Sequence, residues 1–114
     1  MNFLIVEDNA QMRRVISSLV SEFASRVDEC TDGAEALALY AAHLPDWVLM
    51  DIKMSKMDGI AATKQITAFP DANIMIVTDY DECDLRRSAH AAGAREYVLK
   101  ENLLDVCRIL HSYS

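Results

Sequence analysis

"VLMDIKMSKMDG", residues 48–59, sets the terms on which the rest of the chain is read. Trp47-Val48-Leu49-Met50 is a short apolar run of the kind that forms a buried strand, and it stops on a carboxylate, Asp51. Lys53, a Met-bearing stretch and the pair Asp58-Gly59 follow it. A core strand that delivers an acid to its own tip implies a polar rim, and the neighbouring segments can be searched for its other members.

On the N-terminal side, "NFLIV" is rich in strand formers and ends at Glu7-Asp8. Met12, Val15, Ile16, Leu19, Val20 and Phe23 then recur at the spacing of a helix with one apolar face. "RVDEC" is a more polar strand, expected nearer a sheet edge, and Asp32-Gly33 marks a turn. Ala34 to His43 reads as helix closed by Leu44-Pro45. On the C-terminal side, Asp58 is a natural N-cap for a third helix that must end before Pro70. "NIMIV" runs up to Thr78, and a fourth helix is expected from Asp81 or Glu82 to Ala92, with Gly93 as its stop. "EYVL" ends at Lys100, and a last helix from Asn102 turns Leu103, Val106, Cys107 and Leu110 inward. Five strands alternating with helices predict parallel pairing through right-handed crossovers. Strands one, three and four are apolar throughout, as when both sheet faces are covered. The expected fold is therefore a doubly wound α/β sheet with helices on both faces, one domain over residues 1–114.

Composition agrees with this. The chain has 114 residues, 52% apolar and 25% charged, enough for one packed core. Its apolar runs are far shorter than a membrane span, and its first residues read as a strand rather than a leader, so no membrane contact and a cytoplasmic location are expected. Cys30, Cys83 and Cys107 are odd in number and form no CxxC pair, so they are expected to be buried or half-buried reduced thiols. His43, His90 and His111 fall at separate places and carry no expected ligand role. A net charge of −7 repels a phosphate backbone, so direct nucleic-acid binding by this chain is not expected.

In open α/β sheets the ligand site lies at the carboxyl ends of the strands. Those ends carry Glu7 and Asp8, Asp51, Thr78 and Lys100. Three neighbouring carboxylates cannot all remain ionised without a compensating cation. All-oxygen ligands suit a hard divalent ion that retains water, Mg²⁺. A carboxylate such as Asp51 is a competent nucleophile toward phosphorus, and the transfer then needs mainly positioning and charge neutralisation. Lys100 and the Thr78 hydroxyl have the chemistry to contact phosphoryl oxygens.

In "IVEDN", "VLMDIKMSKMDG", "IVTDY" and "AREYVLK", each placed at a strand end, the chain resembles the receiver domain of two-component response regulators. "GAREYVLKEN" looks more like receivers of the LuxR/NarL type, which precede a helix-turn-helix output domain. The resemblance implies a flavodoxin-like (βα)5 fold with strand order 2-1-3-4-5. It implies Asp51 as phosphoacceptor and Mg²⁺ held by Glu7, Asp8, Asp51 and the backbone carbonyl of Lys53. Thr78 and Lys100 would contact the phosphoryl group, and Thr78 and Tyr97 would form the switch. The implied function is a phosphorylation-switched signalling module rather than an enzyme. A sensor histidine kinase or phosphotransfer protein would be the donor, and a homodimer through the fourth helix, fifth strand and last helix is a further partner. The chain departs from the common pattern at Ser55, at Glu101 after Lys100 and at Asp79 after Thr78.

Each residue also has a plainer reading. Glu7 and Asp8 suit a helix N-terminus, Thr78 and Tyr97 suit strands, and Lys100 alone is an ordinary surface lysine. Met50, Met54 and Met57 read as packing. A receiver-fold binding module that works without phosphorylation is the alternative function. A Mg²⁺-dependent phosphohydrolase is disfavoured by Lys53, where a second acid is expected. A flavodoxin is disfavoured by the lack of a phosphate loop after the first strand.

Overall fold

The computed structural model describes residues 1–54 and 57–113; the Ser55 departure lies outside the described residues. Five strands, β1 (Asn2–Val6), β2 (Arg26–Cys30), β3 (Trp47–Met50), β4 (Ile74–Thr78) and β5 (Glu96–Leu99), form one parallel sheet in the order β2-β1-β3-β4-β5. Five helices connect and follow them: α1 (Ala10–Val20), α2 (Gly33–His43), α3 (Gly59–Ile66), α4 (Cys83–Ala91) and α5 (Leu104–Tyr113). The doubly wound reading and its strand order both hold. None of the described helices is long and apolar enough to cross a membrane.

Side chains alternate across each strand, so the sheet feeds two apolar layers. Phe3, Ile5, Leu49, Met75, Val77 and Val98 pack with Ile16 and Val20 of α1 and with Val106, Ile109 and Leu110 of α5. Leu4, Val6, Val48, Met50, Ile74 and Ile76 face α2, α3 and α4 through Ala36, Tyr40, Ala62, Ile66 and Ala89. Each large aliphatic side chain so buried stabilises the fold by roughly 1.5–3 kcal/mol. The central strands are buried along their length, whereas β2 is polar because it lies at the edge.

The helix ends follow local chemistry. Asn9, Asp32 and Asp58 cap α1, α2 and α3, accepting from the amides of Met12, Glu35 and Ala61. Asp32 is thus the cap of a helix as well as part of a turn. Gly93 sits at φ +106, and its amide donates to the His90 carbonyl, ending α4. Gly59 answers a packing constraint: a Cβ there would overlap the Asp51 carbonyl.

Four details correct the sequence reading. Val15 is 42% exposed rather than buried, because it overhangs a cleft at the sheet's carboxyl rim. Cys83 is exposed at the first position of α4, unlike buried Cys30 and half-buried Cys107. The chain makes a 3-10 turn at Lys100–Asn102, so α5 begins at Leu104. Inside α5, Ile109 joins Val106 and Leu110 as a buried residue and Cys107 stays at the margin, as does Leu103 just before the helix.

Candidate functional site

Strand pairing brings the rim together. Val6 pairs with Met50, and the Asp51 amide donates to the Val6 carbonyl, so Glu7 and Asp51 emerge side by side from β1 and β3. Carboxylate oxygens of Glu7, Asp8 and Asp51 all lie within 4.8 Å of one another. Thr78 pairs with Leu99, which places Lys100 one residue beyond the tip of β4. The Lys100 ammonium is 2.7 Å from Glu7 Oε1, 3.3 Å from Asp51 Oδ2 and 4.0 Å from Asp79 Oδ2. These residues line an open cleft of about 530 Å³ together with Asn9, Gln11, Met12, Val15, Lys53 and Tyr80.

The electrostatics are those of acids confined with one base. Glu7 is 1% exposed and Asp51 6%. Burial pushes both carboxyls above their ordinary range, against the pull of the Lys100 ammonium. Burial alone would lower Lys100, but the close ion pair with Glu7 and the charge of Asp51 hold it above the usual lysine value. The Asp51 Oδ1 accepts from the Ile52 amide, and Glu7 Oε2 accepts from the Asn9 amide. Glu7 Oε1 is different. It is buried beside the ammonium, yet the contact is not aligned as a hydrogen bond and no other donor reaches it among the described residues. A buried carboxylate oxygen in that state, beside two further carboxylates, fits a hard cation with oxygen ligands.

Thr78 is fully buried and does not line the cleft; its hydroxyl accepts from the Tyr80 amide at 3.4 Å. The Tyr97 hydroxyl donates to the Tyr80 carbonyl at 2.6 Å, so the two flank one residue of the β4–α4 loop. The Arg86 guanidinium lies 4.5 Å from the centre of the Tyr97 ring and pairs with Asp81. Lys53 faces the cleft with its ammonium 4.8 Å from the centre of the Tyr80 ring.

Sequence reasoning missed Asn9 and Arg13. Asn9 caps α1 while its amide holds Glu7, and an Asn just before an amphipathic run was a legible signal. Arg13 donates to the Glu7 carbonyl and to Glu29 across on β2, a tertiary contact with no local signature.

Comparison with known proteins meets this geometry at the level of family. The chain is 39% identical over 98 residues to the transcriptional regulatory protein PdtaR of Mycobacterium tuberculosis, an alignment covering 85% of this chain and 48% of PdtaR. It therefore spans about half the length of that relative. A chain of the CheX–CheY–BeF3–Mg²⁺ complex from Borrelia burgdorferi superposes with a TM-score of 0.91 at 28% identity, covering 99% of this chain and 88% of that one. A LuxR-family response regulator from Aurantimonas sp. superposes with a TM-score of 0.89 at 27% identity, covering 98% and 83%. The family model described as the response regulator receiver domain matches residues 3–110, and the chain belongs to that family, whose members act in phosphorylation-based two-component signalling.

Proposed function

We propose that Asp51 accepts a phosphoryl group from a sensor histidine kinase or phosphotransfer protein, and that the change is relayed through Thr78 and Tyr97 to the surface of α4, β5 and α5. The observation that carries this is the convergence of Glu7, Asp8 and Asp51 within 4.8 Å of one another, with the Lys100 ammonium against Glu7 and Asp51, at the carboxyl ends of β1 and β3. Glu7, Asp8, Asp51 and the Lys53 carbonyl would hold Mg²⁺, which supplies charge neutralisation for the acids and for an incoming phosphoryl group.

One Asp51 carboxylate oxygen attacks phosphorus, an O–P bond forms, and the bond from phosphorus to the donor breaks with its electron pair leaving on the donor. Lys100, already 3.3 Å from Asp51, follows the negative charge from the carboxylate to a phosphoryl oxygen. Thr78 supplies a hydroxyl to another oxygen once it releases the Tyr80 amide. That release frees the residue whose carbonyl holds the Tyr97 hydroxyl, so the ring of Tyr97 loses its anchor. The module turns over no external substrate and is not an enzyme in this reading.

Residues 1–114 would act as a single domain, regulating an output domain or partner and pairing with a second copy through α4, β5 and α5. Contact with nucleic acid would fall to another domain, given the net charge of −7. A cytoplasmic location, where kinases find their ATP, goes with the same reading.

Intact mass after incubation with Mg²⁺ and a small acyl-phosphate donor tests it. A gain of about 80 Da, absent in Asp51→Asn and with a chelator, is expected. No gain in folded protein, with a histidine kinase also tried, would leave the phosphorylation-independent binding module.

A further inference from the structure

Arg13 is set at the wrong end of its helix. It lies in the first turn of α1, where the helix dipole disfavours a cation, and its side chain is only 20% exposed. It is also a cation placed beside an acidic cluster that would hold another cation. What it touches gives a reason. The Nη1 group donates to the Glu7 carbonyl at 2.8 Å, and Nε donates to Glu29 Oε1 on β2 at 3.2 Å. The Glu7 carbonyl belongs to the peptide that joins Glu7 to Asp8, so its direction sets how the Asp8 side chain leaves the backbone. The Glu7 carboxylate is tied separately, through Oε2 to the Asn9 amide. Asp8 has the more exposed carboxylate of the pair, and Arg13 bonds the peptide on which it is mounted.

We infer that Arg13, braced by Glu29, is a positioning residue that aims the Asp8 carboxylate for divalent-cation binding. The inference rests on the metal role proposed above and adds to it a residue that touches neither the cation nor the phosphoryl group. The planar guanidinium fork holds its donors in fixed, diverging directions, which suits it to bridge a carbonyl and a carboxylate at once. Glu29 sits in register with Ile5 on β1, so the brace transmits the rigidity of the sheet to the turn that leaves it.

The sign of the effect separates this from simple charge. Removing a positive charge near a cation site should tighten binding, whereas losing a brace should weaken it. Mg²⁺ is titrated into the full chain and followed by the amide resonances of Glu7, Asp8 and Ile52. Arg13→Gln is expected to weaken Mg²⁺ about tenfold, in line with the loss of a group that orients a metal ligand. Arg13→Lys, which keeps the charge, should lose less. Arg14→Gln, an equal charge change on the exposed neighbour, should leave affinity unchanged or slightly tighter. The Mg²⁺ concentration for half-maximal phosphoryl labelling should rise by the same factor in Arg13→Gln, with the rate at saturating Mg²⁺ within about twofold of wild type. Arg13→Met, which keeps the aliphatic stem, takes the place of the Gln variant if that one does not fold. Unchanged or tighter Mg²⁺ binding in a folded Arg13 variant overturns the inference and leaves the proposed function standing. No Mg²⁺-dependent shifts in the wild type would overturn both.

Discussion

The two rims of the sheet are built from similar residues and to opposite effect. At the amino end of the strands, polar groups are matched. Asp46 accepts from the Asn2 amide, Asn73 donates to the Asp46 carbonyl, and Arg95 donates to Asn73. Trp47 meets Tyr113 edge to face, and the Tyr113 hydroxyl donates to Glu96. At the carboxyl end, buried Glu7 and Asp51 crowd against exposed Asp8 and one lysine, and a carboxylate oxygen of Glu7 has no hydrogen bond among the described residues. One rim holds the fold together, while the other is held in an unfavourable state by it. Burying acids this closely is sustained only when the surrounding core over-determines their positions.

The largest effect expected from breaking this contrast is at the carboxyl rim. Asp51→Asn should abolish phosphoryl labelling while leaving metal-free thermal stability equal or higher, because it removes one of the crowded charges. A variant that loses stability by several degrees would show that Asp51 is a structural acid. At the other rim the pattern should invert. Trp47, 3% exposed, supports the layer under α1 and α5, and Trp47→Ala should cost about 3–5 kcal/mol. Urea unfolding measures the loss, and labelling per folded molecule should be unaltered.

A pH series sharpens the comparison. Glu7 and Asp51 titrate higher in the folded chain than in the unfolded one. As pH rises from about 4, the unfolded chain releases protons that the native rim still holds, so metal-free stability from these groups falls with rising pH. Glu7→Gln should therefore gain on the wild type in chelator between pH 4 and 7, and added Mg²⁺ should shrink the gap. A pH-independent difference would show that burial does not perturb Glu7. Lys100 acts in the opposite range: its raised value contributes stability below the ordinary lysine pKa that is lost as pH climbs past it. The smallest effect is expected from Tyr113→Phe, which removes a solvent-exposed hydrogen bond from an exposed tyrosine to half-buried Glu96, and its urea midpoint should match wild type within replicate scatter.

The architecture was legible because apolar periodicity is a local quantity. The apolar strands three and four, the polar edge strand "RVDEC", the turn at Asp32-Gly33 and the cap at Asp58 were all visible in runs of a few residues, whereas the capping role of Asp32 emerged only in the structure. The site was partly legible, since strand ends in a parallel sheet must share one rim, which singled out Glu7, Asp8, Asp51 and Lys100 without coordinates. Val15 shows the limit: its spacing matched the core, but its place in the helix carries it over the cleft.

Strand identity, parallel order and the roster of rim acids follow from hydrophobic pattern and chain connectivity, which are carried by short stretches of sequence. The 2.7 Å approach of Lys100 to Glu7, the seating of Thr78 below the cleft and the reach of Arg13 from α1 to β2 follow from packing between segments far apart in the chain. Side-chain direction and burial are properties of the assembled core, and residue spacing does not encode them. Those properties also govern the charge state of the rim: the same carboxylates on an unfolded chain would be ordinary acids in water.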